Sequence, residues 1–319
     1  MSIRVRPFGP NDADAWDNFC KDSLQATLLH TRRFLSYHGD RFADRSLIVE
    51  QDGKWVGLFP AASSPFEKTH VVSHPGITYG GVLHGGDLRG ERMIAALREI
   101  CQQYAALGHA KLIYKAVPTF YHRAPAQDDL YALFRLGAKR IRCDLSSTID
   151  LQNRQLVSQR RKRSLKKAIK VGVNVVEGNQ HIAALWKILT DNLAGKHGAK
   201  PVHTLSEITW LAERFPANIR CVCGATNHAV VAGILLFITT TTWHVQYIAS
   251  NDIGQDVSAL DAVFNYCIDV AHRDGIRWFD FGISTDNGGL VLNDGLYRFK
   301  SEFGGGGSVH EFFELDLNK

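Results

Sequence analysis

The strongest constraint on this chain is an internal repeat. Met93, Ile94, Leu97, Ile100, Cys101 and Tyr104 recur at helical spacing and form one apolar stripe, which stops at Gly108. Leu260, Val263, Phe264, Cys267, Ile268 and Ala271 form a second, which stops at Gly275, 167 positions further on. Glycine just past a helix supplies the left-handed residue that closes the last turn. A strand follows each helix, LIYKAV at 112–117 and IRWFDFGI at 276–283. Ahead of each helix the chain reads strand, turn, strand, in SLIVEQDGKWVGLFPA and in RCVCGATNHAVVAGILLF, and then one more strand, GGVLHG in the first half and TWHVQYIAS in the second. Behind each comes a further helix (128–136 and 292–303) and a final strand (141–145 and 309–317). The same order occurring twice, with strands in runs before helices, predicts an α/β (α+β) protein of mixed sheets with one core per half. The halves divide near residue 150, giving domains of 1–150 and 151–319. The second opens with a basic helix, then two more helical segments at 181–198 and 204–215, the latter with Thr204 and Glu207 spaced as a capping box. No Pro/Ser-rich tether separates the halves, which predicts that they share a cleft.

Composition adds mainly exclusions. At 319 residues, 45% hydrophobic and 22% charged, the chain is neither fibrous nor disordered. Its longest apolar run, VVAGILLFI at 230–238, falls short of the ~20 residues that cross a bilayer, and no apolar segment follows the first arginines as in a secretory signal. These features predict a cytoplasmic protein without a membrane span. Six cysteines without a C-x-x-C read as reduced packing residues. Cys221 and Cys223 share one strand face, and His310-Glu311 lacks the second histidine of a zinc motif, so no metal is expected. Net charge is +5, yet residues 154–170 hold eight basic side chains and no acidic one. The basicity is local, as a localised anionic partner would require.

Two stretches carry a family likeness. RSLKKAIKVGVNVVEG at 163–178 and DGLYRFKSEFGG at 294–305 are similar to motifs of the Fem peptidyltransferases, and the repeated order of elements resembles their tandem GNAT-like domains, the N-acyltransferase fold. The resemblance implies transfer of an aminoacyl or acyl group from an activated carrier, aminoacyl-tRNA or acyl-CoA as co-substrate, to an amine of a small-molecule, nucleotide-linked or cell-envelope acceptor, with no permanently bound cofactor. It implies that Lys300 stabilises the tetrahedral intermediate, with Phe299 and Phe303 beside it, and that Arg163 lies near acceptor phosphates. Two departures stand out. HPGITYGGVLHG puts Gly81 and His84 where relatives carry a proline and a carboxylate, and residues 154–200 are too few for the long paired helices some relatives insert.

The chemistry can also be read from the residues. Acyl transfer to an amine needs a neutral amine, an oriented carbonyl and a donor fixed where the oxyanion forms. Lys300 suits the last role, although its spacing equally describes a surface lysine. On the first reading, replacing it with alanine lowers turnover by ~10² or more and leaves melting unchanged. His38, His74, His84, His244 and Asp280 all fall near strand ends, and none stands out as a base. Arg160, Arg163, Lys167 and Lys170 share one helical face fit for phosphates or tRNA, with Leu165 and Ile169 as its docking stripe; a solvated cationic helix has the same pattern. Tyr37 and His38 in YHGDRF, Tyr79 in HPGITYGG, His84, and Tyr247 in TWHVQYIAS complete the candidate substrate-binding set, or are packed turn and strand residues. The glycines of GGVLHGGDLRGERM either cradle a phosphate or make tight turns, whereas ASNDIGQDVSALDAV sets Asp252 and Asp256 around Gly254 and lacks a CoA loop. An acetyl-CoA-dependent enzyme acting on a sugar or amino acid amine, and a non-catalytic module binding RNA or a nucleotide sugar, are the alternatives.

Overall fold

The structure is a computed structural model that describes residues 3–197 and 200–318. It divides into two compact units. Met1–Leu145, Thr285–Val291 and Val309–Lys319 form the first; Ser146–Ser284 and Leu292–Ser308 form the second.

In the first unit, β1 (Ile3–Pro7), β2 (Leu47–Gln51) and β3 (Lys54–Phe59) make an antiparallel sheet, with α1 (Ala13–Asp22) and α2 (Arg32–Leu35) between the first two. Asp52 and Gly53 both take positive φ, the primed turn whose twist suits a hairpin. β4 (Ala62–Ser63), β5 (His70–Val72), α3 (Glu91–Ala106), β6 (Lys111–Lys115), α4 (Asp128–Arg135) and the start of β7 (Lys139–Asp150) follow. β5 runs parallel to β6. The apolar stripe of α3, with Met93, Ile94, Leu97 and Ile100, is buried in a core that includes Leu112 and Tyr114 of β6.

In the second unit, α5 (Gln159–Lys170), β8 (Asn174–Glu177), α6 (Ile182–His197) and α7 (Leu205–Arg214) precede three long strands, β9 (Ile219–Thr226), β10 (Ala229–Ile238) and β11 (Thr242–Ser250). The Thr204 hydroxyl caps α7 by accepting from the Glu207 amide. α8 (Asp252–Asp256), α9 (Ala259–Arg273) and β12 (Trp278–Ile283) come next; β8 to β11 are antiparallel neighbours in chain order and β12 runs parallel to β11. β13 (Thr285–Asp286) and β14 (Val291–Leu292) form a short hairpin before α10 (Asp294–Ser301) and β15 (Gly306–Asp316). Phe264, Phe279, Phe281 and Phe303 centre the second core. Gly108 and Gly275 close α3 and α9 at φ +84° and +74°, as their sequence positions require.

Three expectations are corrected. GGVLHG is not a strand: the Val82 amide donates to the Tyr114 hydroxyl, and only Leu83 bridges, to Leu58. Tyr114 thus takes the donor that a ladder would have used, and β5 runs beside β6 instead. β7 extends to Asp150 rather than ending at Leu145, and its residues from Ser146 onward pair with β12. A cut at 150 also misses an exchange. The strand after α4 continues into the second unit, while Phe312–Asp316 of β15, after α10, pairs with β6 of the first.

Candidate active site where two parallel strands part

β11 and β12 are paired only through Thr242–Trp278, Trp243–Phe279 and His244–Asp280. Past that point β11 stays with β10 as far as Ser250, bulging between Tyr247 and Val245, whereas β12 shifts register against β7 between Asp280 and Ile283. The two strands therefore diverge from residue 245 onward. An edge left by a neighbour in this way presents backbone donors and acceptors to an extended ligand.

Three ionisable side chains meet at the parting. Asp280 is wholly buried, and its two oxygens are taken in different ways. One accepts from the Ser146 and Thr148 hydroxyls, the latter at 2.9 Å; the other lies 2.6 Å from His244 Nδ1. Lys300 arrives from α10, 3% exposed, and its Nζ donates to the Gly282 carbonyl at 2.9 Å and the Ile283 carbonyl at 2.6 Å. Burial pushes this ammonium down to about 8, and the charge of Asp280 acts in the opposite direction. Gly282 joins the groups. Its φ is +75°, and a β-carbon placed there would stand 3.5 Å from His244 Cε1. Around one glycine the unit thus collects a buried cation, an imidazole that is 12% exposed, and a carboxylate that fixes the imidazole.

Residues 153–301, which include His244, Asp280 and Lys300, match the family model of the acetyltransferase (GNAT) domain. This segment is a GNAT domain. Across its whole length the chain has the tandem GNAT fold, and three solved structures resemble it. FemX is 13% identical with a TM-score of 0.70, over 99% of this chain and 98% of that one. L-PGS from Bacillus licheniformis is 12% identical with a TM-score of 0.63, over 96% and 91%. A tandem GNAT protein from the clavulanic acid biosynthesis pathway is 13% identical with a TM-score of 0.52, over 99% of each chain. No curated protein matches the chain in sequence.

Of the residues singled out from sequence, the GNAT domain and the strand that completes it place Lys300, Phe299, Phe303, Arg160, Arg163 and Tyr247 in one unit. Phe303 is 3% exposed and stacks on Phe281, and Phe299 is edge-on to Phe264. Phe303 belongs to the core and Phe299, partly buried, packs against it, on either side of Lys300 in sequence. Arg163 is on the exposed side of α5, and Arg160 donates to Glu302 at 2.8 Å. The docking stripe of α5 is not Leu165 and Ile169, since Ile169 is exposed; Arg161 and Ala168, both buried and two turns apart, fill that role. Arg161 donates from one nitrogen to both Asp261 oxygens and lies over the Phe299 ring. Tyr247, next to the bulge of β11, is 2.5 Å from His203 Nδ1 and edge-on to Trp186. Gly254 is a packing glycine, because a β-carbon there would overlap the Val231 carbonyl.

Tyr37, His38, Tyr79 and His84 belong to the first unit, and three of them are buried supports. The two ring nitrogens of His38 lie 3.0 Å from the Leu35 carbonyl and 2.9 Å from the Gly76 carbonyl. Tyr79 donates to the Thr27 hydroxyl. His84 is 1% exposed and accepts from the Gly86 amide, and burial pushes it down to about 4. A ring kept neutral in this way does not replace a carboxylate. Tyr37, half-buried, packs against Phe34 and Arg41. At the glycine-rich start of α3, Asp128 accepts from the Gly90 amide. In this unit the corresponding strands also part, but the Ser73 amide donates to Ile113 and the Gly80 amide to Lys115, so the chain between them closes the gap. Lys115, with Nζ on the His74 and Ile77 carbonyls, is buried there and pushed down to about 7. The sequence offered no sign of Lys115, Arg161, Ser146 or Thr148. Asp280 was visible as the single charge inside WFDFG, an anomaly in an apolar strand.

Proposed function

We propose that this protein is an N-acyltransferase that moves an acyl group, an aminoacyl group in the favoured case, from an activated carrier to an amine, with Lys300 meeting the oxyanion. The observation that carries the reading is the buried Lys300 ammonium, anchored on two carbonyls at the end of an open strand edge. Two of its three N–H groups are committed, and the third is available to a developing negative charge that water screens poorly. A donor already in position adds no reorganisation when charge appears, and one such donor is worth roughly 3–4 kcal/mol.

A carrier other than CoA is favoured by the turn after β11. The Asn251 side chain occupies the Gly254 amide, and Asp252 and Asp256 flank it, so a pyrophosphate would meet negative charge and no vacant amide row. The exposed cationic side of α5, with Arg163, Lys166 and Lys170, suits the phosphates of a tRNA or of a nucleotide-linked acceptor. FemX and L-PGS contribute the likeness of fold, and the chemistry rests on the residues.

Incubation with tRNA charged with a labelled amino acid, and separately with labelled acetyl-CoA, in the presence of amine acceptors, tests the proposal. Label in an amide product from charged tRNA is expected. Label from acetyl-CoA alone would move the donor assignment to the thioester, and label from neither would overturn acyl transfer.

A further inference from the structure

We propose that the acyl group this protein transfers carries a branched apolar substituent, selected by a lip of Ile283, Leu292 and Leu296 beside the Lys300 ammonium. The inference rests on the acyl-transfer reading above and names the class of donor for that same site.

Three hydrogen bonds assemble the lip. Lys300 Nζ donates to the Ile283 carbonyl at 2.6 Å. The carbonyl of the next residue, Ser284, accepts from the Asn293 amide, which sets Leu292 beside the end of β12. The Asn293 side chain then caps α10 by accepting from the Leu296 amide at 3.0 Å. Along α10, Leu296, Phe299 and Lys300 fall on one face at helical spacing. The inner end of that face is covered, for Lys300 is buried and Phe299 packs on the second core. Leu296 at its outer end is 37% exposed, as is Ile283, and Leu292 is 45% exposed. Leu290 and Val291 precede Leu292 in the chain and are exposed too, so three consecutive apolar residues face water. Surfaces avoid such a run unless something covers it.

Position and charge select the occupant. A protein partner takes roughly 20–30 residues from each side, whereas the lip has three residues, or five with the two before it. An anionic bilayer surface attracts cations, yet the exposed Asp286 and Asp294 bracket the run. What the lip adjoins is the anchor of Lys300. The substituent of an acyl group is bonded to the carbonyl carbon, one bond from the oxygen that Lys300 meets, so it begins where the lip begins. Ile283, Leu292 and Leu296 have no hydrogen-bonding side chain. A hydroxyl or a charge laid on them would lose water without gaining a partner, whereas a branched alkyl group gains from being covered.

The substituent itself takes no part in bond making. The amine nitrogen bonds to the carbonyl carbon, the bond to the carrier's ester oxygen or thioester sulfur breaks, and the proton that the amine loses leaves with the carrier. The lip therefore acts through binding and orientation.

Equilibrium binding to the full chain tests the assignment without reference to turnover. One pair of probes is tRNA bearing a non-hydrolysable leucyl or alanyl amide at its 3′ end; the other is isovaleryl-CoA and acetyl-CoA. The branched member of one pair is expected to bind ~10-fold or more tightly, and the pair that shows the preference names the carrier. In the double variant Leu292→Ser with Leu296→Ser the ratio is expected to fall towards one with the circular dichroism spectrum intact, and Leu296→Met should retain it. Equal affinities within both pairs, or a preference that survives the double serine change, would overturn the assignment. A preference for the branched probe without any amide product in the transfer assay would instead strike the acyl-transfer reading.

Discussion

Lys300 has been taken out of water, and the consequence is opposite for activity and for stability. Its folded value of about 8 lies below the ordinary lysine value, so the cation is disfavoured by folding. Below pH 8 that penalty is fully present; between about 8 and the ordinary value the unfolded chain holds more protons, and this residue's contribution to stability rises with pH. The oxyanion role needs the charged form. Turnover is therefore expected to fall above about pH 8 while thermal unfolding records a rising contribution from Lys300, visible as the difference from Lys300→Met; a rate that keeps rising through pH 9 would contradict the role. The same burial corrects the expectation that alanine at this position leaves melting unchanged. Removing the ammonium strands the buried Gly282 carbonyl, at roughly 1–3 kcal/mol, and frees the part-buried one of Ile283. Gly282→Ala forces a β-carbon into the left-handed region and is expected to cost about 1–2 kcal/mol, measured by denaturant titration. At this scale the sequence revealed identities but not partnerships. Lys300 stood out through a motif, and DGLYRFKSEF gives no sign that its lysine points inward. His244 and Asp280 are 36 positions apart and become neighbours only once the parallel register is known.

α5 shows how a helix with seven basic residues docks without an apolar stripe. Arg161 replaces the missing hydrophobe, reaching Asp261 on α9 and covering Phe299 and Phe303. Burial pushes Asp261 up to about 6 in spite of Arg161, so the pair costs desolvation as well as giving attraction. Breaking it from one side is expected to be expensive. Arg161→Ala should destabilise by roughly 3–5 kcal/mol in urea titration, whereas the double change Arg161→Met with Asp261→Leu should recover much of the loss. Arg163→Ala, on the exposed side, should leave stability within about 0.5 kcal/mol. Equal losses for Arg161→Ala and Arg163→Ala would contradict this docking. Apolar spacing alone selected Leu165 and Ile169 because arginine counts as polar in any periodicity, although its stem and planar head bury well against aromatic rings.

Over the whole molecule, the repeat was legible and its wiring was not. α3 and α9 are amphipathic helices closed by left-handed glycines, features written within a few residues of each other. Which strand completes which core depends on pairing between residues some two hundred positions apart, as between Tyr114 and Phe313, and no local pattern encodes that. The exchange has a direct consequence. Fragments 1–150 and 151–319 each lack the strand that ends their own core, with Leu315 and Leu317 lost from the first. Fragment 1–150 is expected to show no cooperative melt alone and to gain one with a peptide spanning 306–319; a cooperative melt of the lone fragment at the full chain's temperature would refute the exchange. On the proposed reading the fold brings one ammonium to one strand edge, and the rate of amide formation by Lys300→Met, compared with the unaltered chain at pH 7 on the same donor and acceptor, tests that most directly. A fall of ~10² or more in kcat with the circular dichroism spectrum intact is the expected result, and a folded variant that transfers at the original rate would contradict the account.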